Sequence, residues 1–347
     1  MPSTSALNCP RSSRKTALVS CSYGDRVMNV MKASVLAATL IMAGCGGGGP
    51  SHQTTEKYYL VCANAKIPYW QEAGEGFLRA AKELKVQAEM VGPESYDAAA
   101  EKAEFQKAVA KKPAGILVSP GNPEMLRPEI DAAVAAGIPV ITIDSDAPQS
   151  QRLFFVGTNN FQAGQMGGKL LAQMLKGKGR VVFFTIAGQK NLEERLNGYE
   201  AALEATPGIK IAEVFDMKGD ARLAFDKTTE LIEKKADVNA FVSLESLSGS
   251  EVAEVLERNK AEGKIIIAMD TSDKTLEWIE KGRIAATIMQ KPYTMGYYGL
   301  RTLAEIALNK PAALQGKFAA DPRSPFPVFI DTGTMLVDKS NLGSVKR

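Results

Sequence analysis

Residues 115–144 read GILVSPGNPEMLRPEIDAAVAAGIPVITID. The apolar run 115–118 is short enough for a buried strand. A Ser-Pro-Gly-Asn turn follows it, and the spacing then predicts a helix over 123–136. A second apolar run, 139–143 (PVITI), stops at Asp144. Strand, helix and strand in that order read as one unit of a parallel sheet, because antiparallel neighbours need only a tight turn between them.

The same alternation extends in both directions. Strands are expected at 58–63, 86–91, 115–118, 139–143 and 153–156, and a second series at 180–185, 210–215, 239–243, 264–269 and 284–288. These are runs rich in Val, Ile and Phe bounded by Gly, Pro, Asn or Asp. Helices are expected near 70–84, 98–111, 123–136, 160–176, 191–205, 221–235, 247–261, 273–281 and 293–308. Phe77, Ala80, Ala81 and Leu84 make an apolar stripe on one of them; Val252, Val255 and Leu256 do so on another. The strand candidates are too many for one ordinary sheet and divide at Gly157-Thr158-Asn159. The fold class is therefore α/β, with two Rossmann-like, doubly wound parallel-sheet lobes.

Open parallel sheets bind ligands beyond the carboxyl ends of their strands. Asn64 to Trp70 follow the first strand, Ser119 to Asn122 the third, and Asp144, Ser145 and Asp146 the fourth. The second half contributes Gln189 to Arg195, Lys218 to Asp220, Glu245, Asp270 to Asp273, and Gln290 to Pro292. Two lobes facing each other bring these groups to one cleft. Asp and Glu accept from hydroxyls, Arg donates, and Asn and Gln do both. With Tyr69 and Trp70 beside them they suit a sugar, which has an aromatic-stacking C–H face and a hydroxyl rim. The competing reading is structural. Asn122 and Asp273 are expected to be helix caps, and Tyr69 with Trp70 also fits a core.

The N-terminal residues read as an address. Lys32 precedes an eleven-residue apolar run, 33–43 (ASVLAATLIMA). That run spans about 16 Å as a helix, too short for a bilayer core of about 30 Å. It ends Met42-Ala43-Gly44-Cys45, which resembles a bacterial lipobox. Residues 28–45 are read as a lipoprotein signal with Cys45 the lipidated residue, 1–27 as a non-native extension, and 46–57 as a flexible tether. Gly46–Gly49 is not a phosphate loop, since no strand precedes it and no Gly-Lys-Ser/Thr follows.

The 347 residues hold 42 Lys plus Arg and 39 Asp plus Glu. Five of those basic residues (Arg11, Arg14, Lys15, Arg26, Lys32) and one acid (Asp25) lie in 1–45, so the remainder carries 37 basic and 38 acidic residues. A near-neutral body has no long-range attraction for nucleic acid. One His argues against a His-based metal site or triad, and neither metal nor cofactor is expected. Cys62 is the one Cys outside the address segment and sits in an apolar strand, so it reads as a buried, inert thiol in a chain without internal disulfides.

Several stretches together resemble the ribose-type periplasmic sugar-binding proteins, the type I solute-binding lipoproteins of ABC importers. They are Ile67-Pro68-Tyr69-Trp70, 115–120 (GILVSP), 136–144 (AGIPVITID), Gly157 to Asn160, Gly164, Glu194-Arg195 with Gly198-Tyr199, Asp270, and 285–292 (AATIMQKP). The likeness covers about 57–338. It implies two lobes joined by a three-segment hinge near 157–159, 289–292 and 320–331. The first lobe is then 58–158 plus 291–320 and the second 159–290 plus 321–338. By position it implies that Tyr69 and Trp70 stack on a sugar and that Asp144, Arg195, Asp270 and Gln290 bond its hydroxyls. Asn64 and Glu245 fall on neighbouring binding loops.

Ser145 and Asp146 stand where relatives commonly follow the aspartate with Arg, Glu245 stands where many have Asn, and Ile67 replaces a polar residue. Those departures point away from ribose, towards an aldohexose or another aldopentose, such as glucose or xylose, and the acids Asp144, Asp146, Glu245 and Asp270 leave an amine-bearing ligand open. The implied protein is a monomeric, extracytoplasmic, lipid-anchored capture protein that delivers a monosaccharide to an ABC permease. A sugar-sensing component for a chemoreceptor or sensor kinase is the alternative. An enzyme lacks support, because G-x-G-x-x-G after the first strand, Walker, His-Glu-x-x-His and Gly-x-Ser-x-Gly motifs are absent. A repressor would need a DNA-binding helix pair where the apolar address stands. Labelled-palmitate incorporation in the native host should mark Cys45; an unmodified Cys45 contradicts the lipobox reading.

Overall fold

A computed structural model describes residues 51–316, 318 and 321–345. The expectations for 1–27, for the signal ending at Cys45 and for the start of the tether lie outside the described residues. The first lobe runs β1 (Lys57–Val61), α1 (Pro68–Leu84), β2 (Gln87–Val91), α2 (Ala98–Ala110), β3 (Gly115–Val118), α3 (Pro123–Ala135), β4 (Val140–Ile143) and β5 (Phe155–Gly157). The second runs α4 (Asn160–Met174), β6 (Gly179–Thr185), α5 (Lys190–Leu203), β7 (Ile209–Asp216), α6 (Ala221–Glu233), β8 (Ala240–Ser243), α7 (Ser248–Arg258), β9 (Ile265–Met269), α8 (Asp273–Glu280) and β10 (Ala286–Met289). The chain then returns through α9 (Pro292–Leu308), β11 (Phe329–Asp331) and β12 (Met335–Val337).

Each lobe holds a six-stranded sheet, ordered β11-β5-β4-β3-β1-β2 and β12-β10-β9-β8-β6-β7. All pairings are parallel except β10 with β12. Helices cover both faces, so the inner strands are buried on both sides and read as unbroken apolar runs. All four residues of β3, β4 and β8 are buried. The edge strands β2 and β7 are less buried: no residue of β2 is fully buried, and β7 alternates exposed with half-buried positions along much of its length. In each order the chain reverses direction across the sheet between two central strands: β1 and β3 in one lobe, β6 and β8 in the other. Loops at those switch points leave room for a ligand at the carboxyl ends. Among the described residues no helix is long and apolar enough to cross a membrane.

The C-terminal boundary differs from expectation. The segment 321–338 does not all belong to the second lobe. β11 pairs with β5 of the first sheet, and only β12 joins the second. Aromatic packing explains it. Phe329 stacks on Phe155 at 5.1 Å with planes 11° apart, and Phe326 lies 6.2 Å from Phe154. The proline-bearing stretch 321–327 therefore lies along the first lobe, and the third crossing moves to 332–334. There Thr332 N–H donates to Gly157 carbonyl (2.8 Å) and Asp331 accepts from Asn159 N–H (3.3 Å). Two of the crossing segments are thus bonded to each other. Replacing Phe155, 7% exposed, with Ala should cost about 3 kcal/mol of stability in urea unfolding; an unchanged midpoint contradicts this account of β11.

Candidate functional site

The groups at the strand exits converge where the lobes meet. Asp144 follows β4 with φ 63° and Asp270 follows β9 with φ 65°. Both occupy the left-handed region that L residues seldom adopt, and they do so at matching points of the two sheets. Each amide still extends its ladder, Asp144 N–H to Val156 carbonyl (3.1 Å) and Asp270 N–H to Ile288 carbonyl (2.9 Å). The turn begins one atom later and throws each carboxylate off the end of its sheet.

Arg195 projects from α5 into this space. α4 and α5 touch backbone to backbone: a Cβ on Gly164 would lie 2.0 Å from the Arg195 carbonyl, and one on Gly198 2.1 Å from that of Phe161. Only glycines allow that approach. The guanidinium donates to Asn160 Oδ1 (2.6 Å), to Gln290 Oε1 (3.3 Å) and to the Leu244 carbonyl; its Nε has no partner among the described residues. Gln290 in turn donates to Asp270 Oδ1 (3.1 Å). Tyr69 O–H donates to Asp144 Oδ1 (2.6 Å). Asn191, at the start of α5, donates across the cleft to Asp144 Oδ2 (3.0 Å), joining the second lobe to the first.

Burial sets the electrostatics. It lifts the Asp270 carboxyl to about 7, opposed by the charge of Arg195 and the Gln290 bond, and reinforced by Asp144 and Glu245. Burial also raises Asp144, against the Tyr69 bond and Arg195. The Tyr69 phenol goes well above its ordinary range, from burial first and from Asp144 next.

The remaining expected residues divide. Asp144, Arg195, Asp270, Gln290 and Tyr69 share one cluster. Asn64 turns Oδ1 to the Lys66 amide (3.1 Å) in its own loop. Trp70 is 2% exposed and belongs to the first lobe's core, edge-on to Tyr69 at 5.3 Å. Glu245 accepts from Leu247 N–H (2.5 Å), Ser248 N–H (3.2 Å) and the Ser248 hydroxyl, so its carboxylate closes the turn into α7. Asn122 caps α3 as expected, accepting from Met125 N–H (3.0 Å), whereas α8 is capped by Ser272 and Asp273 falls inside its first turn. Asp146 is held by Arg152 through two bonds of 2.5 and 2.6 Å. Cys62 is buried and its thiol is pushed up to about 12, which keeps it unreactive. Asn160, Asn191 and Tyr96 were not singled out in the sequence. The first two lie in the opening turns of α4 and α5, within stretches marked in the sequence (Gly157 to Asn160 and Gln189 to Arg195) though not named individually. Among the described residues no cluster of His, Cys, Asp and Glu could hold a metal ion.

Two doubly wound lobes around a polar cleft, with donors and acceptors from both, define a two-lobed ligand-binding protein. The chain belongs to the periplasmic binding protein domain family, whose model matches residues 58–311, and it has the type I fold of that family. It is 25% identical over 250 residues to the ribose import binding protein RbsB of Haemophilus influenzae, covering 71% of this chain and 84% of the relative. A glucose-galactose binding protein of Geobacillus stearothermophilus, GanP, superposes with a TM-score of 0.76 at 32% identity, covering 84% of this chain and 99% of that one. An ABC transporter solute binding protein of Burkholderia graminis in complex with D-arabinose superposes with a TM-score of 0.77 at 25% identity, covering 85% of this chain and 100% of that one.

The Asp270 carboxyl has a pH consequence. It stays protonated in the folded chain up to about 7 but ionises near its ordinary 3.8 when unfolded. Between those values the folded state binds more protons, so stability falls as pH rises through the window and levels off above it. Asp270→Asn should flatten that fall, read from urea midpoints across the window; an unchanged slope contradicts the assignment.

Proposed function

We infer that this chain is an extracytoplasmic solute-binding protein that captures a monosaccharide, an aldohexose or aldopentose, between its lobes and delivers it to an ABC permease. A lipid on Cys45 would hold it to the membrane. The observation that carries the reading is the single cluster of Asp144, Asn191, Arg195, Asp270 and Gln290, drawn from both lobes. It is dense in donors and acceptors yet close to neutral. Asp146 is matched by Arg152 and Glu245 is committed to its turn amides. What remains is one guanidinium facing two carboxyls, one of them lifted to about 7. Such a set suits an uncharged polyol better than an amine, because each hydroxyl can both donate and accept. Ser145 Oγ and Arg195 Nε, buried without partners among the described residues, are further groups able to bond it.

Capture follows from closure. A sugar that bonds both lips binds the closed form more tightly than the open one, and that difference shifts the population. The sugar-binding relatives and the absence of enzyme motifs support binding rather than turnover. A thermal-shift screen over glucose, galactose, xylose, arabinose and ribose should find a stabilising ligand, worth about 2.7 kcal/mol at 100 times its Kd. Asp270→Ala and Arg195→Ala should each weaken its binding by at least about 2 kcal/mol by titration calorimetry. Wild-type affinity in both variants would overturn the site.

A further inference from the structure

Tyr96 lies between β2 and α2 of the first lobe, yet its ring packs with the hydrophobic cluster of the second. It rests on Gly219, where a Cβ would stand 2.5 Å from the ring's Cδ2 and 2.7 Å from the Tyr96 Cβ. Gly219 has φ +76° and follows Lys218 at φ 53°. Asp216 fixes that loop by accepting from the amides of Lys218 (2.9 Å) and Ala187 (3.1 Å). The seat for Tyr96 is therefore built from the second lobe's own backbone.

Tyr96 has two sides. On the inner one burial first, and then the nearby charges of Asp144, Glu245 and Asp270, raise its phenol well above the ordinary range. On the outer one it lines a vestibule of about 210 Å³ between the lobes, which includes Glu101 and Asn122 from the first and Ala187 and Lys218 from the second. Glu101 is 1% exposed; one carboxylate oxygen accepts from Gly121 N–H (2.9 Å) and the other has no partner among the described residues. The vestibule thus carries polar groups of its own, with Tyr96 in its wall.

We propose that Tyr96 is the gate of the sugar compartment: seated on Gly219, it retains the ligand and limits it to a single ring, excluding sugars whose second ring would extend into the vestibule. This rests on the sugar-capture reading. The gate closes only when the lobes meet, because its seat is on the opposite lobe, so its loss should act on release more than on capture.

The test measures binding and dissociation of the monosaccharide selected from the panel above, and of maltose, lactose and xylobiose, for wild type, Tyr96→Ala, Tyr96→Phe and Gly219→Ala. Wild type should bind the monosaccharide and reject the disaccharides. Tyr96→Ala should release the monosaccharide at least tenfold faster and gain binding of a disaccharide containing it, a gain that mere structural damage does not produce. Tyr96→Phe keeps the ring on its seat and should retain size exclusion; Gly219→Ala lifts the ring and should speed release. A Tyr96→Ala protein with wild-type release that still rejects disaccharides overturns the gate, as does disaccharide binding by wild type. Failure of wild type to bind any monosaccharide overturns the capture reading itself, and the gate with it.

Discussion

Arg195 is 1% exposed, and a cation taken that far from water must be matched by hydrogen bonds and opposite charge. Its hydrogen bonds come from the second lobe, and opposite charge comes from both. Asn160, Gln290 and the Leu244 carbonyl accept from the guanidinium's two terminal nitrogens within the second lobe, and Asp270 leans on Gln290. The remaining negative partner, Asp144, lies on the first lobe and is tied across by Asn191. Burial of one ion thereby links the closing of the cleft to the pairing of its polar groups. A polyol that inserts among them exchanges those bonds for its own, which makes closure sensitive to ligand.

The two lobes reach this arrangement by the same local device. A parallel strand runs out, an aspartate takes a left-handed turn, and the carboxylate points off the sheet's end. Asp144 and Asp270 hold nearly equal φ values of 63° and 65°. The strain is tolerated because each aspartate's own amide still bonds the neighbouring strand. Helices then set what faces the carboxylates. The glycine contact of α4 with α5 brings Arg195 in at short range, and Pro68 at the head of α1 starts the helix that carries Tyr69 and Trp70.

Much of this could be read before any coordinates. The first ten strands and all nine helices of the described residues stand within a few residues of the expected ranges, because apolar runs bounded by Gly, Pro, Asn and Asp are strong signals for strands buried on both faces. The three-residue strands β11 and β12 gave no such signal, and Phe326 and Phe329 choose the first lobe through packing that lies far off in sequence. Polar exits were easy to find but hard to sort. Asp144, Asp270 and Glu245 look alike as residues after strands, yet Glu245 turns back to its own amides while the aspartates face the cleft. Tyr96 sat in a loop with no periodic signal, and its role depends on a glycine more than a hundred residues away.

The central claim is that sugar and lobe closure are one equilibrium. Spin labels on Glu94→Cys and Glu193→Cys, exposed residues on opposing lips, report the opening directly in a Cys9/Cys21/Cys45→Ser background, where buried Cys62 with its thiol near 12 stays unlabelled. Pulsed electron resonance should give a broad distribution of longer distances without sugar and one short, narrow distance with it. A distribution that stays the same when a bound monosaccharide is present would contradict the account.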